Sequence, residues 1–340
     1  MSENVDRRDG GNIASNGDVL FLDEERAKRK EHPERPLRKN KPTGLGLNDL
    51  RAKMISKMTQ MAPPEKTRQI FDGLIDKASQ PPDSRPGAKF RKEFGFDEKG
   101  YTHGTIFPLN VDLAENVQSV VLPVDLVVQA LEEAEYIAIL DYCICRKTYG
   151  CKDHPVDLGC IFLNSAGRQT VKAGVAKHAT LEEAVAHVYK AADSGLVANA
   201  EMVEGEQILW GLKNSQMNEF RMICFCCQCC CLAFNVVKNG DIEIKKRYSS
   251  CGYTSTIDHT KCVGCHSCAN VCPQQCITYR EEDQKAVIDQ EMCMGCGLCK
   301  RKCKSGAIRT LQTMPMRKSV NEYFIKEARI DDGLPHKYDE

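Results

Sequence analysis

The residue types able to do chemistry crowd into one stretch, Cys262 to Cys303, where a cysteine string occurs twice. The first copy reads Cys262-Val-Gly-Cys265-His-Ser-Cys268-Ala-Asn-Val-Cys272-Pro273, and the second Cys293-Met-Gly-Cys296-Gly-Leu-Cys299-Lys-Arg-Lys-Cys303-Lys304. Both follow C-x2-C-x2-C-x3-C, a spacing at which a short loop wraps three thiolates around an iron–sulfur cube. Each iron of a cube has one open coordination position, so three cysteines cap one face and a fourth must come from elsewhere. Gly264, Gly295 and Gly297 suit a loop whose backbone amides approach inorganic sulfide closely. Zinc is the competing reading of paired C-x2-C hooks, because it takes four thiolates tetrahedrally. Zinc hooks are usually set apart by a longer spacer, however, and these strings crowd too many ligands for one ion.

On these motifs, residues 253 to 312 resemble the bacterial-type two-cluster ferredoxins. In that family the fourth cysteine of each string serves the other cluster. The resemblance therefore implies Cys262, Cys265, Cys268 and Cys303 for one 4Fe–4S cluster, and Cys293, Cys296, Cys299 and Cys272 for the second. One departure is that Lys304 stands where the family usually has proline. The basic run Lys300-Arg301-Lys302-Cys303-Lys304 would either favour the reduced, more negative cluster or serve as a solvated docking face for an acidic partner. Cys276 falls outside the eight and reads as a small buried residue.

A second group of thiols lies upstream: Cys143, Cys145, Cys151, Cys160 and the run Cys224, Cys226, Cys227, Cys229, Cys230, Cys231. In a strand, alternate residues share a face about 6.6 Å apart, so Cys143 with Cys145, Cys224 with Cys226, or Cys227 with Cys229 read as hooks. A subset of the ten is expected to hold a third iron–sulfur cluster, giving about twelve irons in all. A fourth cluster, a zinc site or a thiol–disulfide couple are the alternatives. Arg146, next to Cys145, reads either as the charge partner of a cluster or as half of an ordinary salt bridge. With the terminal two-cluster region, the pattern is similar to ferredoxin-type iron–sulfur proteins of anaerobes.

The elements that must position these thiols follow from the 340-residue chain, which carries 20 cysteines and no formal net charge. The polar start shows no export signal and no apolar run is long enough for a membrane span, so a cytoplasmic protein with thiols used as metal or redox groups is expected. The expected fold class is α+β: a ferredoxin-like two-cluster domain preceded by a cysteine-rich α/β domain and a partly disordered N-terminal arm. Residues 1–100 read as a flexible, helical arm. Its helices are expected near Asn48 to Met61, with Leu50, Met54, Ile55 and Met58 as the apolar face, and from Glu65 to Lys77. Residues 101–250 form the cysteine-rich domain, with a helix from Pro123, a strand at Tyr136 to Leu140, and a helix opened by the capping box Thr180-Leu-Glu-Glu183. Residues 251–312 carry the two-cluster domain, with a strand from Tyr253 to Asp258 and a hairpin of Ile277 to Arg280 with Ala286 to Asp289. Residues 313–340 read as a docking tail containing a short helix after Ser319.

No nicotinamide or flavin fingerprint, P-loop, Ser/His/Asp arrangement or H-E-x-x-H helix is present. These features lead to an electron-transfer protein or subunit of an oxidoreductase complex, relaying single low-potential electrons to a redox partner, with no nucleic acid expected. One alternative is an iron–sulfur reductase whose block 143–231 forms an active-site cluster or dithiol. The other is a metal-binding regulatory or scaffold protein.

Overall fold

The structure, a computed structural model, describes residues 45–46, 49–112, 122–217 and 220–326. The rest of the expected N-terminal arm and the end of the C-terminal tail lie outside the described residues. The architecture mixes helix and sheet around a seven-stranded sheet of order β4-β2-β3-β6-β5-β1-β7. Its strands are β1 His103–Phe107, β2 Ile137–Leu140, β3 Ile161–Leu163, β4 Ala176–His178, β5 Val197–Met202, β6 Met222–Cys226 and β7 Tyr248–Ser250. All pairings are antiparallel except β1 with β7.

Both faces of this sheet are covered, and the two-residue period of its strands sorts their side chains between two cores. Phe107, Ala198 and Phe225 enter one core. Their neighbours Ile106, Val197 and Cys226 enter the other. Helix α4 (Pro123–Glu132) packs on the first side with α7 (Leu181–Asp193). Helix α7 is opened by Thr180 Oγ1, which accepts from the Glu183 amide at 3.2 Å, while the Glu183 side chain accepts from the Thr180 amide at 2.8 Å.

Among the described residues, three helices precede the sheet: α1 Asp49–Gln60, α2 Pro64–Ser79 and α3 Arg85–Glu93. Most of the expected apolar face of α1 points outward, with Leu50, Met54 and Met58 at 69%, 59% and 72% exposure, while Ile55 is half-buried. Small residues make the contact instead. Ala52 and Ser56 are buried, and Ser56 Oγ donates to Leu209 O at 3.0 Å in α8 (Glu206–Trp210), because only short side chains let the two backbones approach so closely. Helix α2 buries Thr67, Phe71 and Ala78, and packs on α5 (Ile144–Tyr149) and α10 (Leu232–Asn239). Helix α3 was not anticipated, although Ser84-Arg-Pro86 is a readable start signal: Ser84 Oγ accepts from the Gly87 amide at 3.2 Å. It is anchored by buried Arg91, whose Nη2 lies 2.8 Å from Asp241 Oδ2.

Residues 253–312 carry two small antiparallel pairs, β8 Tyr253–Ile257 with β11 Ile308–Gln312 and β9 Ile277–Tyr279 with β10 Ala286–Ile288. Two short helices, α12 Ser267–Asn270 and α13 Leu298–Lys302, pack together between them. Asp112 ties this unit to the sheet: its amide donates to Thr310 O, its Oδ2 accepts from the Thr310 amide at 2.8 Å, and its Oδ1 lies 2.8 Å from Lys300 Nζ. Arg301 donates to Gly195 O. Half of the basic run is therefore spent inside the chain. The last helix among the described residues, α14 (Val320–Lys326), also folds back: Val320, Tyr323 and Phe324 are buried, and the Tyr323 hydroxyl donates to Cys251 O at 2.6 Å.

Candidate metal centres

The two cysteine strings have the same local backbone. Gly264 and Gly295, each just before the second cysteine, have φ of 65° and 64°, and His266 and Gly297, just after it, have φ of 60° and 72°. These left-handed residues turn each loop inward, and each third cysteine then sits in α12 or α13. At Gly295 the requirement is steric as well, since a Cβ there would run into Tyr253 O. The same turn aims matching amides at sulfur: the Ser267 N–H bonds to Cys265 and lowers its pKa, and the Leu298 N–H bonds to Cys296. Burial pushes Cys296 and Cys268 up.

The thiols gather in two hollows. One is lined by Cys262, Cys265, Cys268 and Cys303, with Ile257, Ala286, Ala307 and Ile308. The other is lined by Cys272, Cys276, Cys293, Cys296 and Cys299, with Ile277, Ile288 and Met294. Each hollow thus takes three cysteines from one string and the last cysteine of the other. Four thiols, apolar walls and inward amides are the donor set a 4Fe–4S cluster requires. Cys276 is buried against the second hollow, with Sγ 3.5 Å from Cys272 Sγ. That contact is the first cause of the lowered pKa of Cys272.

The hollows differ in depth. Cys265 is exposed and Val263 is 72% exposed, so the first reaches the surface. The second lies inward, where Met294 and Leu298 share an apolar core with Cys226, Cys231, Phe234 and Tyr248.

The ten upstream thiols converge from distant parts of the chain. Cys143 and Cys145 do not form a strand hook: Cys143 caps α5 and Cys145 lies within it. Cys224 and Cys226 are in strand β6, but Cys227 and Cys229 belong to the turn that follows. Cys151, Cys227, Cys229 and Cys230 bring their sulfurs within 4.8 Å of one another. The other six form close pairs: Cys160 with Cys224 at 2.7 Å, Cys226 with Cys231 at 3.1 Å, and Cys143 hydrogen-bonded to Cys145. The bond from Cys145 brings Cys143 to about 7, and the bond from Cys229, aided by Arg146 and His154, brings Cys227 to about 5.

Arg146 is 1% exposed. It donates to Pro155 O and Phe225 O at 2.7 Å each and to Leu158 O, and it also bonds to the Cys227 thiol. Among the described residues no carboxylate pairs with it, so the ordinary salt-bridge reading does not hold. Sequence reasoning also missed Glu201, buried on β5 beside Cys224. Burial pushes its carboxyl up to about 7, while Asn199 Nδ2 donates to it at 2.5 Å.

Residues 261–307 match the protein family described as a 4Fe-4S dicluster domain. No curated protein and no solved structure matches the chain. The C-terminal unit is therefore of ferredoxin type and points to iron–sulfur electron transfer. Among the described residues, no helix is long and apolar enough to cross a membrane.

Proposed function

We propose that this chain is an electron-transfer protein or subunit that relays single low-potential electrons through two 4Fe–4S clusters to a partner oxidoreductase. Cys262, Cys265, Cys268 and Cys303 hold one cluster, and Cys293, Cys296, Cys299 and Cys272 hold the other. Bound there, a cluster would supply one-electron redox chemistry. The thiolates fix its position, so little rearrangement accompanies the charge change. Amides of Ser267 and Leu298 donate to ligand sulfur and favour the more negative state. Apolar side chains line both hollows beside the thiols.

The observation that carries this reading is the exchange of the last cysteines between two separate hollows. It makes the two centres neighbours by construction, which suits a relay. The exposed edge at Val263 and Cys265 is where a partner redox protein approaches, and the second hollow leads inward toward the upstream thiols. Iron and acid-labile sulfide counted on anaerobically purified Cys262→Ser and Cys293→Ser variants test it. Each should lose one cluster's complement, about four irons and four sulfides. Unchanged counts in both would refute it.

A further inference from the structure

Cys151, Cys227, Cys229 and Cys230 are set apart from the other cysteines by how closely their sulfurs converge. Cys229 Sγ lies 3.6 Å from Cys151 Sγ and 3.5 Å from Cys227 Sγ, and all four sulfurs fall within 4.8 Å of one another. Four thiolates on one tetrahedral ion, with metal–sulfur bonds of about 2.3 Å, stand about 3.8 Å apart. Four thiolates on a cube sit on different irons, so their bonds diverge and the sulfurs stand on the order of 6 Å apart. The same chain provides the comparison. Among the described residues, neither quartet lining the two hollows brings three of its sulfurs within 4.8 Å, and this upstream quartet does.

The local backbone explains the convergence. Gly150, at φ 60°, ends α5 and turns the chain back so that the Cys151 amide bonds to Arg146 O at 2.9 Å. That places Cys151 over the turn between β6 and α10, which supplies the other three sulfurs. Charge is the second observation. Arg146 is a buried cation with no carboxylate partner among the described residues, and the thiol it bonds to is Cys227. A buried guanidinium requires nearby negative charge. Four thiolates around a divalent ion carry a net charge of −2, which supplies it.

We propose that Cys151, Cys227, Cys229 and Cys230 form a tetrathiolate site for one borderline-soft divalent ion, zinc or iron, and do not ligate a cube. The site is independent of the two C-terminal clusters. It contains no inorganic sulfide. Cys229, its exposed member, opens it to solvent, while Cys227 and Cys230 hold it from the buried side.

The test is an element and sulfide count on the full chain purified anaerobically, for the natural sequence and for Cys151→Ser and Cys229→Ser. Each variant should lose one metal ion per chain and no sulfide, and the element lost tells zinc from iron. Loss of about four irons with four sulfides, or no loss of metal, would overturn the proposal. A second measurement on the unsubstituted chain avoids any folding defect of the variants. Cys151 and Cys229 should resist alkylation until a chelator removes one ion, and then react together with sulfide content unchanged. Immediate alkylation of Cys229 with the metal retained would contradict the site. Failure of the C-terminal clusters would show separately, as missing sulfide in the natural chain.

Discussion

Cys303, the last cysteine of the second string, lines the same hollow as Cys262, the first cysteine of the first. Neither hollow can be completed by one string alone, so a substitution in one string should be felt at a centre built mainly from the other.

The first prediction concerns that exchange. Cys303→Ser should reproduce the spectroscopic defect of Cys262→Ser, and Cys272→Ser that of Cys293→Ser. Electron paramagnetic resonance of the reduced variants checks this. If Cys303→Ser matched Cys293→Ser instead, each string would hold its own cluster.

Gly295→Ala should damage the protein more than Gly264→Ala. Both positions have left-handed φ, which costs a residue with a Cβ about 1–2 kcal/mol. At Gly295 the added carbon also meets Tyr253 O, whereas at Gly264 the nearest atom is Gln284 O at 3.0 Å. Thermal unfolding together with iron content of the two variants gives the ranking.

Arg91→Ala should destabilise the chain by about 2 kcal/mol, less than a fully buried pair because Asp241 keeps 26% exposure. The guanidinium also donates to Gly87 O at 3.0 Å, so α3 should loosen first. Urea unfolding measures the loss, and hydrogen exchange of residues 85–93 locates it.

Glu201 should make stability fall as pH rises. Its carboxyl is raised from the ordinary 4.5 to about 7 by burial, so between those values the folded chain binds a proton that the unfolded chain has released. The contribution is fully present below 4.5 and is lost on the way to 7, at about 1.4 kcal/mol per pH unit. Between pH 5.5 and 7 this amounts to about 2 kcal/mol. Glu201→Gln should flatten the dependence of the urea midpoint over that range, and an unchanged slope would reject the assignment.

Local signals in the sequence located many of the elements. The capping box at Thr180 opens α7, Pro123 starts α4, and the spacing of the two strings marks the loops on which Cys262 to Cys303 sit. Nonlocal features were not legible. The pairing of β1 with both β5 and β7 depends on chain segments far apart, and no periodicity encodes it. Alternate spacing suggested strand hooks at Cys143 and Cys145, but a helix claims them because the chain turns immediately after β2. The outward Leu50, Met54 and Met58 mislead for a related reason: closeness to α8 selects Ala52 and Ser56, and apolar spacing says nothing about how near a neighbour comes. Cys151 meets Cys227 only through the tertiary fold, so no spacing rule could have joined them.

The most direct test of the central claim is a reductive titration of the anaerobically purified full chain, followed by electron paramagnetic resonance. Two one-electron centres held within residues 262–303 should appear, magnetically coupled because they share the two strings. A colourless protein with zinc in those loops and no reducible centre would contradict the account.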